Sequence, residues 1–198
     1  MKKPVASTVD QPHSARNRLL EAADELFYRE GIHAVGIDRV IARADVAKAS
    51  LYNIFGNKDG LITAYLRRRH EQRQEWIGRA LERYDGPADK ILAVFDALQQ
   101  RLSLPDSRGC AFVNAGSEGQ FFGAVAETSA EYRGWIRELF AQLAGDAGAA
   151  DPDTLAVQLQ LLYDGAAVSR RMDGTADGAR AAKAAAATLL DAAITAAA

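Results

Sequence analysis

The stretch GIDRVIARADVAKASLYNIF, residues 36–55, decides how this chain is read. Ile37, Val40, Ile41 and Ala44 fall at i, i+3, i+4 and i+7, the spacing of a short helix with one apolar face. After Asp45 and Val46 the pattern restarts. Ala47, Leu51, Ile54 and Phe55 share one side of a second short helix, and Lys48, Ala49, Tyr52 and Asn53 share the other. The first side is greasy and expected to face inward; the second can hydrogen-bond. Two helices joined by a turn of a few residues make the unit whose second helix enters the DNA major groove. Such a helix needs small residues where backbone must approach DNA, as at Ala47 and Ala49, and polar groups where base edges wait, as at Lys48, Tyr52 and Asn53.

The continuation GNKDGL extends the pattern: Gly56 can end the short helix, and Asn57 or Lys58 can start a longer one near a phosphate. The run VAKASLYNIFGNKDGL resembles the signature of the tetracycline-repressor (TetR/AcrR) family of transcriptional regulators. The matches are Val46, Lys48, Leu51, Tyr52, Phe55, Lys58 and Leu61, with Ser50 in place of threonine. Three positions depart: Asp45 stands for the usual turn glycine, Ala47 for the usual serine and Ile54 for the second aromatic. Aspartate can still adopt a left-handed turn conformation, at some cost relative to glycine. Together the pattern and the resemblance assign DNA contacts to Gly36, Ala47, Lys48, Ala49, Ser50, Tyr52, Asn53 and Lys58.

Charge is divided unevenly. Residues 1–70 carry 12 Lys and Arg against 8 Asp and Glu, whereas residues 71–198 carry 12 against 18. The basic part contains the helix-turn-helix, as a phosphate-binding head on an acidic body would. Cys110 is the single cysteine, which excludes an internal disulfide and a cysteine zinc cluster and suits a reducing, cytoplasmic setting. His13, His33 and His70 are too scattered to suggest a metal site, and no cofactor is expected. The first ten residues have no apolar run behind Lys2 and Lys3, so no secretory signal is expected, and the alanine-rich tail is a poor membrane segment. No G-x-S-x-G, phosphate loop, H-E-x-x-H or C-x-x-C motif is present, so an enzyme is not the expected reading.

Helical periodicity covers the rest. Ser14 is a plausible N-cap for a helix carrying Leu19, Leu20, Ala23, Leu26 and Phe27, which Gly31 stops. One long helix should run from about Lys58 to Tyr84, apolar at both ends and charged between, a strut on which Arg67, Arg68 and Arg69 are expected on a solvated surface, with contact to DNA phosphates as the other reading. Further stripes start at Ile91, Ala124, Leu155 and about Thr175, and no stretch alternates like a strand. The expectation is an all-α chain of about nine helices: a flexible arm over 1–13, a three-helix DNA-binding head over 14–57, and an effector-binding and dimerisation body over 58–198.

The family resemblance implies more than periodicity can. It implies a homodimer without membrane attachment, a small-molecule effector, and a short helix over GCAFVNAGSEG lining the effector cavity. Phe95, Cys110, Asn114, Glu118, Phe121, Trp135 and Tyr163 are the candidate pocket residues. Leu155, Leu159, Leu162, Ala182, Ala186, Leu189 and Ala193, on the last two helices, are the candidate dimer contacts. Two other readings stay open on sequence alone: a helical adaptor acting through protein contacts, and a ligand-modifying enzyme on the same scaffold.

Overall fold

The structure, a computed structural model, describes residues 14–118 and 123–195; the expected arm over 1–13 and Phe121 lie outside them. Among the described residues the chain forms nine helices and no strand: α1 (Ala15–Glu30), α2 (Ile37–Ala44), α3 (Lys48–Phe55), α4 (Lys58–Leu81), α5 (Pro87–Leu102), α6 (Ala111–Ser117), α7 (Gly123–Asp146), α8 (Pro152–Asp173) and α9 (Asp177–Thr195). They form two compact units, divided between Tyr65 and Leu66. The division falls eight residues beyond the 57/58 boundary expected from sequence. The first turns of α4 supply core to the first unit: Leu61, Ile62 and Tyr65 are buried, and the Tyr65 ring meets Phe27 edge-on at 5.6 Å.

In the first unit α1 packs against both α2 and α3. Ser14 caps α1, its Oγ accepting from the Asn17 amide at 3.2 Å, and Gly31 ends it at φ +100°. Leu19, Ala23 and Phe27 meet Val35, Val40 and Leu51 in a core with almost no exposure.

In the second unit α8 packs between α7 and α9, and α5 packs on α7 and α9. Phe95, Phe140 and Tyr163 form its aromatic centre, with ring centroids 5.8 to 6.2 Å apart. Buried and half-buried polar groups are tied across helices. Gln160, on α8, accepts from Arg137 Nε at 2.8 Å and donates to the Arg133 carbonyl at 3.0 Å, while Arg133 also pairs with Asp164. Lys183 on α9 holds both Asp96 oxygens at 2.6 and 2.7 Å, and Arg170 Nε donates to the Leu102 carbonyl where α5 ends. At Gln160, which is fully buried, an unpaired amide would lose its hydration without return.

Gly109 shows how closely the loop before α6 lies on α8. Its φ is +80°, and a Cβ there would sit 2.6 Å from the Ala167 carbonyl oxygen. Gly134, in the middle of α7, faces open space. Gly109→Ala should therefore lower stability by roughly 2 kcal/mol or more, from left-handed strain and collision together. Gly134→Ala should raise it by about 0.5–1 kcal/mol, because alanine loses less backbone entropy on entering a helix. Urea unfolding of the two variants checks both signs.

Candidate nucleic-acid interface and effector region

Eight-residue helices are too short to be stable alone in water, so α3 holds its place through what it buries. Leu51 is fully buried and Phe55 half-buried, and these two anchor it. Sequence periodicity also put Ala47 and Ile54 on the inner side, but Ala47 is exposed as the N-cap and Ile54 is 38% exposed. The anchored stripe is narrower than the apolar pattern suggested. The outward surface is correspondingly broad: Ala47, Lys48, Ala49, Tyr52 and Asn53 are exposed, Tyr52 at 45%, and Ser50 is half-buried.

The turn before α3 follows from Asp45, which takes φ +51° and ψ +57°, the left-handed conformation that the usual glycine adopts more cheaply. Its amide and that of Val46 close back on Ala42 and Ile41. Ala47 gives α3 no side-chain cap, so the amino end of the helix is open to an outside acceptor. After α3, the Asn57 side chain caps α4 by accepting from the Gly60 amide at 2.8 Å. A Cβ at Gly60 would sit 2.0 Å from the Phe55 carbonyl oxygen, so glycine there lets α4 start directly against the end of α3.

Several cations of this unit are engaged by carboxylates. Arg39 makes a two-pronged contact with Glu30 at 2.7 and 3.0 Å, and Arg43 pairs with Glu25. Lys48 donates to Asp38 at 2.8 Å, and that contact holds its ammonium above the usual lysine range. Lys58 makes no ion pair with a described residue and is half-buried at the start of α4. Gly36 is the exposed N-cap of α2, with open space where a Cβ would sit.

In the second unit the candidate pocket residues separate. Tyr163 and Phe95 sit in the buried aromatic centre and Cys110 is buried, whereas Trp135 is half-buried against Tyr132 and His70. Asn114 donates to the Arg108 carbonyl at 2.9 Å and thereby fixes the loop before α6; Glu118 is half-buried just after that helix. Sequence reading missed the cluster's centre. Tyr132 stacks on Phe112 at 4.3 Å, meets His70 edge-on, and accepts, with Tyr163, a hydrogen bond from Arg73. The available signal was the spacing of Leu66, His70, Arg73 and Ile77 at 4, 3 and 4 residues, a helix face on which Arg73 lies between buried leucine and isoleucine.

The candidate dimer residues also divide. Leu155, Leu159, Ala182 and Ala186 are buried in the chain's own core, and Leu162, Leu189 and Ala193 are half-buried. Those four cannot form an outward surface, because the strongest apolar stripe of α8 and α9 is the one these helices use to pack within the chain. The apolar side chains α8 leaves in solvent are Val157, Leu161 at 63% and Met172 at 79% exposed. Among the described residues no helix is long and apolar enough to cross a membrane, and no group of three His, Cys, Asp or Glu could hold a metal ion.

The family profile described as bacterial regulatory proteins, tetR family, matches residues 19–65, the span that supplies this first unit. The solved structure of SCO4454, a TetR-family transcriptional regulator from Streptomyces coelicolor, superposes with a TM-score of 0.86 at 30% identity, covering 93% of this chain and 97% of that one. The HTH-type transcriptional activator FasR of Mycolicibacterium smegmatis is 34% identical over 82 residues, 41% of this chain and 37% of FasR. The HTH-type transcriptional repressor NemR of Escherichia coli is 27% identical over 108 residues, 54% of each chain. The chain thus spans about half or less of the curated relatives it matches. With the profile on the helix-turn-helix and a relative of 30% identity matched over nearly its whole length, the chain belongs to the tetR family of bacterial regulatory proteins.

Proposed function

We propose that the chain is a sequence-specific DNA-binding transcriptional regulator, a ligand-responsive repressor that binds a palindromic operator as a homodimer. The observation that carries this reading is the outward face of α3. Lys48, Ala49, Tyr52 and Asn53 are all exposed on a helix anchored from behind by Leu51. Small residues let such a face enter a major groove, and the polar groups then reach base edges. Lys58 and the uncapped amino end of α3 suit phosphates, which fix register without reading sequence. The sign of regulation is less constrained, since the curated relatives include both an activator and a repressor; repression is the simplest outcome of occupying an operator.

For the dimer, the exposed stripe of Val157, Leu161 and Met172 on α8 replaces the buried residues suggested by periodicity. Successive positions are 4 and 11 residues apart, about one and three helical turns, and so share one face. The neighbouring surface of α9 is built of small residues, Ala181, Ala184 and Ala192, that permit close approach. A two-fold pairing through α8 and α9 would join two heads, each reading half an operator. The effector region is the Tyr132, Tyr163 and Arg73 cluster, and α4 is the element through which a ligand there acts on DNA affinity, because α4 contributes residues to both units.

Selection of duplexes from a random pool tests the reading: the protein should enrich a palindrome that Tyr52→Ala fails to enrich. With that operator in hand, Lys48→Ala should lose on the order of ten- to a hundred-fold on operator and little on scrambled duplex, as a base contact would. Lys58→Ala should weaken both about equally and reduce the salt slope. Equal losses on both duplexes for both variants would refute this division of roles.

Asp38→Asn should tighten operator binding by about two- to five-fold, since the exposed Lys48–Asp38 pair must open before Lys48 can reach DNA. Binding isotherms at one salt concentration read this directly. Leu161→Lys should leave the helical content intact and convert the dimer to a monomer with sharply weakened operator binding. Sedimentation of that variant as an unchanged dimer would remove α8 from the interface.

A further inference from the structure

Arg73 carries a positive charge into the second unit without a carboxylate to meet it. Its Nη1 donates to the Tyr132 and Tyr163 hydroxyls at 2.9 and 3.0 Å, and its guanidinium carbon lies 5.3 and 5.9 Å from their ring centroids. Both tyrosines are almost wholly buried, and burial pushes their phenols above the usual tyrosine range, so at neutral pH they are uncharged. Asp164 lies within electrostatic reach but is already paired with Arg133. Among the described residues Arg73 makes no ion pair.

A half-buried charge whose protein partners are all neutral has room for a further ligand to complete its coordination. Guanidinium geometry says what fits. The two contacts occupy Nη1, leaving the edge formed by Nε and Nη2 without a partner among the described residues. That edge presents two parallel N–H groups, the fork that takes a carboxylate in two-pronged fashion. On the same helix and within electrostatic reach of Arg73, His70 has a buried Nε2 with no hydrogen-bond partner, and burial holds its ring below the usual histidine range, so the imidazole is neutral at neutral pH.

Arg73 also lines a cleft of about 140 Å³ together with Arg69, Gln72, Trp76 and Arg101. No acidic residue lines it, and Arg101 likewise makes no ion pair among the described residues. The guanidinium groups of Arg73 and Arg101 at one small cleft raise the local anion concentration, and Trp76 offers a flat apolar wall. We propose that this cleft is the receptor for an organic carboxylate, its carboxylate on the free edge of Arg73 and its carbon skeleton against Trp76. This names the chemical class of effector and rests on the ligand-responsive reading above. Because Arg73 ties α4 to Tyr132 of α7 and Tyr163 of α8, a ligand that draws on its remaining donors acts on three helices at one atom group.

The test uses the purified full chain at constant ionic strength, titrated with benzoate, phenylacetate, inorganic phosphate and the neutral isostere benzamide. Melting temperature and tryptophan fluorescence are followed. At least one of the two carboxylates should bind saturably and raise the melting temperature, with benzamide at least about ten-fold weaker. Arg101→Gln, on the rim of the cleft, should cost about ten-fold in carboxylate affinity, and Arg73→Lys, which keeps the charge but loses the fork, should cost at least as much. The proposal is overturned if neither carboxylate saturates below about 10 mM, if benzamide or phosphate binds as tightly, or if folded Arg101→Gln binds like wild type. Repeating the titration on operator-bound protein separates the two readings. Operator binding with inert carboxylates sinks the receptor alone, and carboxylate binding by a chain that selects no operator sinks the regulator alone.

Discussion

Burial of Leu51 is the contact on which the DNA-facing surface depends. A helix of two turns is unstable in water, and the outward residues of α3 contribute nothing to holding it. The helix persists because one side chain is fully covered by the first unit and because α4 starts directly at its end, where only glycine fits at position 60. This leaves four outward positions free to vary in chemistry without unfolding the head. A recognition surface can therefore be altered while its support stays constant, which is what a family reading different operators with one fold requires.

The second unit solves a different problem. Its helices are long enough to bury continuous stripes, and alanine-rich α9 packs close to α8. Its polar side chains are the specifying elements. Gln160 is fully buried yet satisfied at both ends by α7, so sliding α7 along α8 would strand its amide. Lys183 and Asp96 do the same for α5 and α9, more weakly because both are partly exposed. Arg73 is the exception, a half-buried cation whose coordination is incomplete among the described residues.

Most of the helix pattern was legible because long amphipathic helices announce themselves. Ser14, Gly31 and Gly56 mark boundaries where sequence places them, and α4 ends at Leu81, three residues before the expected Tyr84. The helix-turn-helix was legible for a sharper reason: an ordered match from Val46 to Leu61 is far more specific than periodicity. Surfaces were harder. On α8 and α9 the strongest apolar stripe is the inner one, so reading it as the dimer face chose Leu155, Leu159, Ala182 and Ala186, all spent on the core. Periodicity says which residues avoid water, not which neighbour covers them. Arg73 was hidden for the opposite reason: within RRRHEQRQE it reads as one more solvated charge, and only its register with Leu66 and Ile77 turns it inward.

That register also limits how a ligand could be sensed. A ligand shifts an equilibrium only by its difference in affinity for the two states, so a sensor needs a group whose surroundings differ between them. An apolar wall changes little when a helix tilts by a fraction of an ångström. A guanidinium does, because hydrogen bonds near 3 Å weaken steeply with distance and angle, and Arg73 holds partners on two helices besides its own. Any movement of α4 relative to α7 or α8 must stretch one of these bonds. A ligand occupying the free edge of the same guanidinium competes with or reinforces them according to where it pulls. The coupling then needs no long pathway, because the atom group that would bind the ligand already joins α4 to its neighbours.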